Sequence, residues 1–254
     1  MSGHSKWKTI QHKKGAADAK RGKIFSKMAK ELMVVAKAGG GSPDTNTALR
    51  TMIQRCKAVS MPNENIDRAI KKGTGELAAD IMEEISYEGF AGGGVGVVVK
   101  VLTDNKNRAA AEIRHIFSKH GSSFAAQGAV SRGFRRRGQI FVDAASVEEE
   151  KLMDIVLSAG ADDMQPDGEQ FEILTDPGIF PAVMEALEKA GIKVSEESEV
   201  RLVPDTYAPV TDKTVAKAVM KFVDTLEDND DVQNVYTNMD LDDTVLTAIE
   251  NDKD

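Results

Sequence analysis

Apolar positions recur every three to four residues through the first third of the chain. Ile24, Met28, Leu32 and Val35 fall on one face of a helix predicted over 16–38. Gly39-Gly40-Gly41 ends it. Ser42-Pro43 reads as an N-cap followed by proline at the first helical position. The helix it opens carries Leu49, Met52, Ile53 and Cys56 at helical spacing. Met61-Pro62 breaks that helix. A third, carrying Ile66, Ala69 and Ile70, is expected to end at Gly73 after Lys71-Lys72. Three amphipathic helices with short connections make a small bundle.

The period changes after residue 80. Ile85–Phe90 reads as a strand, 91–96 as a glycine turn, and Val97–Leu102, almost continuously apolar, as a buried strand. A helix follows over 105–120 with Ile113, Ile116 and Phe117, then an irregular strand over 122–134. Residues 138–203 form a unit of their own: strand 139–143, helix 147–159, a hairpin of 161–165 with 170–174 across Pro166-Asp-Gly168, helix 177–190 and strand 193–203. The order βαββαβ is the ferredoxin-like arrangement. A last helix, 211–226, and strand, 232–238, have no neighbour of their own to pair with. Their simplest closure is onto the sheet begun at 82–134. The predicted fold is therefore α+β: an N-terminal three-helix bundle followed by two α/β domains, the ferredoxin-like unit inserted into the middle one. The expected domains are 1–80, 81–135 with 204–246, and 136–203. The acidic tail from Asp240 is expected to fray.

Charge changes the picture. The chain of 254 residues carries a net charge of −8, yet residues 1–75 hold 16 Lys/Arg against five Asp/Glu, and the rest holds 17 against 36. A +11 segment on a −19 remainder marks a basic binding region on acidic partner domains. The single cysteine fits a reducing compartment. No apolar run approaches the ~20 residues that span a bilayer, and the first residues lack the apolar core of a secretory signal. The expected setting is the cytoplasm, with no membrane partner.

The candidate chemistry is binding. Residues 1–15, polar, basic and without apolar period, read as a flexible arm. Lys6, Lys8, His12, Lys13, Lys14, Lys20, Arg21 and Lys23 supply phosphate partners, and Trp7 a stacking face. The alternative is a solvated arm whose Trp7 packs on the bundle. Lys20, Lys23, Lys27, Lys30 and Lys37 line a face of the first helix, which reads as a continuation of the arm or as a solvated face. Arg132, Arg135, Arg136 and Arg137 read equally as a second phosphate contact or as interdomain ion pairs. Gly92-Gly93-Gly94 lacks the Lys-Ser/Thr of a phosphate loop and reads as a turn. Thr103-Asp104-Asn105 reads as a helix cap with Arg108 in the first turn, an anion site being the other reading. Cys56 sits on an apolar stripe as a core thiol. His4, His12, His115 and His120 have no metal-ligand spacing, and Asp228-Asn-Asp-Asp231 lacks the central glycine and closing glutamate of a calcium loop. No cofactor and no catalytic constellation is expected. Two other classes compete: an enzyme acting in the cleft between the α/β domains, which needs a convergent carboxylate pair or a His–nucleophile contact, and a protein-interaction module, recognisable by a basic face buried against the acidic domains.

Longer motifs point to a family. Gly3-His-Ser-Lys-Trp7, Ile10 with His12-Lys13, Asp18-Ala-Lys-Arg-Gly-Lys-Ile-Phe25, Tyr87-Glu-Gly89 and Thr103-Asp-Asn-Lys-Asn-Arg108 resemble the YebC/PmpR family along almost the whole chain. The resemblance implies a helical domain followed by two α/β domains. It also implies a DNA-binding transcriptional regulator, or a translation factor that binds ribosomal RNA on ribosomes and assists elongation at proline-rich stretches. Gly128, Val130, Phe134 and Gly138 keep the family spacing, but the arginine density of Ser131-Arg-Gly-Phe-Arg-Arg-Arg137 departs from it.

Overall fold

A computed structural model describes residues 17–250 except Glu196, with side chains from Arg21 onward apart from those of Asp243 and Glu250. Among the described residues the chain opens with three helices, α1 (Ala17–Gly39), α2 (Thr47–Ala58) and α3 (Asn63–Thr74). Their apolar stripes meet in one core of Leu32, Ala36, Leu49, Met52, Cys56, Met61, Ile66 and Ala69. Cys56 is a buried core thiol, and burial pushes its pKa up.

Two helix boundaries differ from expectation. The cap of α2 is Asn46, not Ser42. Its Oδ1 accepts the Leu49 N–H at 3.0 Å, while its Nδ2 donates to the Val35 and Gly40 carbonyls at 3.0 and 2.9 Å. One side chain thus satisfies groups of two helices at once, which Ser42 cannot reach. Helix α3 passes through Gly73 and ends at Thr74, capped by Gly75, whose φ of 84° closes the helix in the left-handed region.

The middle sheet has the order β3-β1-β2-β9, built from β1 (Glu83–Phe90), β2 (Gly96–Thr103), β3 (Ser123–Ala125) and β9 (Val232–Thr237). The late strand β9 pairs antiparallel with β2, as the closure argument anticipates. Val97, Val99 and Val101 point into a core shared with α4 (Lys106–Lys119) and α7 (Lys213–Glu227). Val98 points to the opposite side, against Val130, Phe134 and Tyr236.

Between β3 and α7 lies a second sheet, β5-β6-β4-β7, of β4 (Phe134–Asp143), β5 (Asp163–Asp167), β6 (Gln170–Thr175) and β7 (Glu199–Pro204). Helices α5 (Glu149–Ser158) and α6 (Phe180–Lys189) cover one of its faces. All its pairings are antiparallel, the order expected of a ferredoxin-like unit. Its hairpin turns at Gly168-Glu169, so Pro166 sits inside β5, an edge strand where a missing N–H is tolerated.

Three expectations fail here. The strand expected over 193–203 is ladder-paired only from Glu199, as β7, with a lone bridge at Val194. The strand predicted over 122–134 shrinks to β3, because the next residues are held as a loop by a buried carboxylate described below. The tail is not frayed through 250. Strand β10 (Met239–Leu241) pairs in parallel with β8 (Ala208–Val210), and α8 (Asp243–Glu250) buries Val245, Leu246 and Ile249 in the middle core.

Candidate nucleic-acid interface

The lysine face of α1 is not open. Lys23, Lys27 and Lys30, spaced by four and three, stack on one side of the helix and meet the C-terminal end of α7. Lys23 Nζ donates to the Asp228 carbonyl at 2.9 Å and lies 3.3 Å from its Oδ1. Lys27 Nζ donates to the Glu227 carbonyl at 2.6 Å. Lys30 Nζ reaches the Asp230 carbonyl at 2.9 Å and Asp231 Oδ1 at 2.6 Å. A helix C-terminus exposes unpaired carbonyls and partial negative charge, so ammonium groups belong there. Burial lowers the Lys27 pKa, against the pull of Glu227 and Asp230.

Asp231 is the centre of this clasp. Its side chain is 6% exposed, and its Oδ2 accepts from Arg108 Nη2 at 2.8 Å and from Thr103 Oγ1 at 2.9 Å. Burial would raise its pKa, but the hydrogen bonds from Lys30, Arg108 and Thr103 hold it below the ordinary value. Asn105 caps α4, its Oδ1 accepting the Arg108 N–H at 3.1 Å. Arg108 Nη2 also meets Asp104 Oδ1 at 2.7 Å. The segment from Thr103 to Arg108 therefore serves the cap and the clasp, and Asp228, Asp230 and Asp231 accept from the lysines of α1. Among the described residues no cluster of His, Cys, Asp and Glu could hold a metal ion.

A second carboxylate shapes the arginine-rich region. Glu88 is 1% exposed. It accepts the N–H groups of Gly128 at 2.8 Å, Val130 at 2.7 Å and Ser131 at 2.9 Å, and Ser131 Oγ at 2.7 Å. Burial pushes its pKa up, but these four donors outweigh it and bring it down to about 2. The neighbouring Gly89 leaves no room for a Cβ beside the Phe117 ring and the Ser123 carbonyl. The loop so pinned delivers Arg132 and the start of β4.

The sequence candidates now divide. Lys6, Trp7, Lys8, His12, Lys13 and Lys14 lie outside the described residues, as does the side chain of Lys20. Arg21 is exposed on α1. Lys23 and Lys27 form neither an open phosphate face nor a solvated one: both bond the acidic end of α7. Arg135 Nε lies 2.7 Å from Asp205 Oδ1 and Arg137 Nη1 2.6 Å from Asp162 Oδ2, ion pairs that fall within the expected domains rather than between them. Arg132 and Arg136 are exposed and form no ion pair among the described residues. Gly92-Gly93-Gly94 is a tight turn, with Gly93 in the left-handed region at a φ of 71°.

Basic residues passed over in the sequence come forward once the clasp is known. Lys57, at the end of α2, and Arg68, Lys71 and Lys72, on α3, are exposed. None has an ion pair among the described residues. They enter the +11 count, but nothing in their spacing distinguishes them from any solvated face.

The chain resembles known proteins throughout its length. Residues 5–76 match the family profile described as the TACO1/YebC protein N-terminal domain, and 82–239 that of the TACO1/YebC second and third domain. A probable transcriptional regulatory protein of Desulfatibacillum aliphaticivorans is 52% identical over 246 residues, 97% of this chain and 99% of the relative. One of the same description from Treponema pallidum subsp. pallidum is 51% identical over 241 residues, 95% of this chain and 98% of the relative. The crystal structure of a conserved hypothetical protein from Aquifex aeolicus superposes with a TM-score of 0.78 at 44% identity, covering 91% of this chain and 95% of that one.

Proposed function

This chain belongs to the TACO1/YebC family, and from that premise we propose that it is a non-enzymatic regulator of gene expression that acts by binding nucleic acid in the cytoplasm. The observation that carries the reading is the division of charge, +11 over residues 1–75 against −19 over the remainder. The clasp consumes only part of the positive half. Lys57, Arg68, Lys71 and Lys72 stay exposed, and four lysines precede residue 16. Polyanions meet that half and are repelled by the other, which orients the complex.

The relatives' description as probable transcriptional regulatory proteins favours DNA as the ligand. A second reading, an RNA-binding translation factor on the ribosome, is supported by α3. A DNA-reading helix leads into the major groove with its N-terminal residues. Here that end carries Glu64 and Asp67, both exposed. Crosslinking in cells followed by sequencing of both nucleic acids separates the readings. Enrichment at promoters supports the DNA regulator, and enrichment on ribosomal RNA the translation factor. Crosslinks no denser than those of an acidic control protein overturn both.

A further inference from the structure

We infer that the outer face of α3 is a sequence-independent phosphate-backbone contact made by Arg68, Lys71 and Lys72. The inference rests on the nucleic-acid-binding reading above and deepens it by placing the contact. Spacings of three and four put the three side chains on one face, and all three are exposed. The opposite face is taken: Ile66 and Ala69 enter the core, and Gly73 lies against Met33 and Ala36 of α1. On α1, the positions that meet α3 lie about a third of a turn (~120°) from the lysines that meet α7. The α3 face therefore stays clear of the clasp.

Elimination supports the same face. Lys23, Lys27 and Lys30 hold the end of α7. Arg50 donates to the Pro43 and Asp44 carbonyls, and Arg55 lies between Glu31 and Glu199. Among the described cations, Lys37, Lys57, Arg68, Lys71 and Lys72 are not so engaged, and of these Arg68, Lys71 and Lys72 share one face of one helix. The polarity of α3 says how they bind. Glu64 and Asp67, among its first five residues, repel phosphate, and the cations follow from Arg68 onward. Such a helix cannot enter a groove with its leading end, where base edges are read. It lies along a backbone with the stretch from Arg68 to Lys72, and that contact carries no sequence information.

The test uses the full chain, a labelled DNA duplex and a labelled RNA hairpin, each in two unrelated sequences, with affinity measured over a salt series. The triple variant Arg68→Gln/Lys71→Gln/Lys72→Gln is expected to keep its thermal midpoint. Its slope of log affinity against log salt is expected to fall by about 2–3, three contacts at roughly 0.7–0.9 each. The loss should be equal for both sequences of a given nucleic acid. Loss on RNA alone or DNA alone supports the contact and identifies the ligand. An unchanged slope overturns the inference, and so does a loss confined to one sequence. Absence of salt-dependent binding by the unaltered protein defeats instead the nucleic-acid reading on which it rests. As an independent check, Glu64→Gln/Asp67→Gln should raise affinity for every probe, and no rise counts against the polarity argument.

Discussion

Glu88 shows how much one buried side chain can organise. A carboxylate almost without water is unfavourable unless its lone pairs are filled, and here three backbone N–H groups and a hydroxyl fill them. The effect is to bend residues 128–131 into a loop where the sequence suggests strand. The folded-state pKa of about 2 lies below the ordinary 4.5. The stability it supplies is therefore present above pH ~4.5 and lost as pH falls toward 2, and the gap corresponds to on the order of 3 kcal/mol. Glu88→Gln, which turns an NH2 toward N–H donors, should cost about 2–3 kcal/mol in urea unfolding at pH 7. The difference from the unaltered protein should shrink between pH 5 and pH 2. A variant equally stable at pH 7 would mean that the loop does not depend on the carboxylate.

At the scale of elements, the clasp joins three pieces of chain far apart in sequence: α1, the start of α4 and the end of α7. Its pairs are unequal. Asp231 is buried and shared by Lys30, Arg108 and Thr103, whereas the Lys23–Asp228 pair is exposed on both sides, at 43% and 67%. Exposed pairs contribute less than ~1 kcal/mol, and removing one member of a buried pair costs ~3–5 kcal/mol. Lys30 and Arg108 both keep some water, so Asp231→Ala should cost about 2–3 kcal/mol. It should also speed amide exchange in α1. Lys23→Ala should change stability by less than ~1 kcal/mol. Equal, small effects from the two variants in denaturant titrations would show that the helical domain is held by something other than Asp231.

For the whole molecule, the clasp turns an apparent contradiction into an arrangement. A protein of net charge −8 binds polyanions poorly unless its charges are separated in space. Here the acidic end of α7 takes up one lysine face and leaves others outward. The segment before residue 16 adds four lysines and no acidic residue. Deleting residues 1–15 should shift the thermal midpoint by less than ~2 °C, since the segment has no apolar period to add to a core. It should lower the salt slope of nucleic-acid binding by about 3–4. A large fall in the midpoint would make the segment structural, and an unchanged slope would remove it from the site.

The sequence by itself determined the elements and their order. Helical period, alternation and glycine placement are local properties, and the predicted helices between 17 and 227 formed, whereas the strands expected over 122–134 and 193–203 were cut to 123–125 and 199–204. It also determined that β9 must return to the middle sheet, because a lone strand cannot satisfy its backbone. What only the tertiary structure decided was which cations are engaged within the fold. A lysine awaiting phosphate and a lysine awaiting a helix C-terminus look identical in sequence, and Lys23, Lys27 and Lys30 differ from Arg68, Lys71 and Lys72 only in what packs opposite. The cap at Asn46, the loop on Glu88 and the ordered strand and helix after Asp240 have the same origin. Each depends on groups brought close by folding, and neither period nor composition records a contact between positions so far apart along the chain.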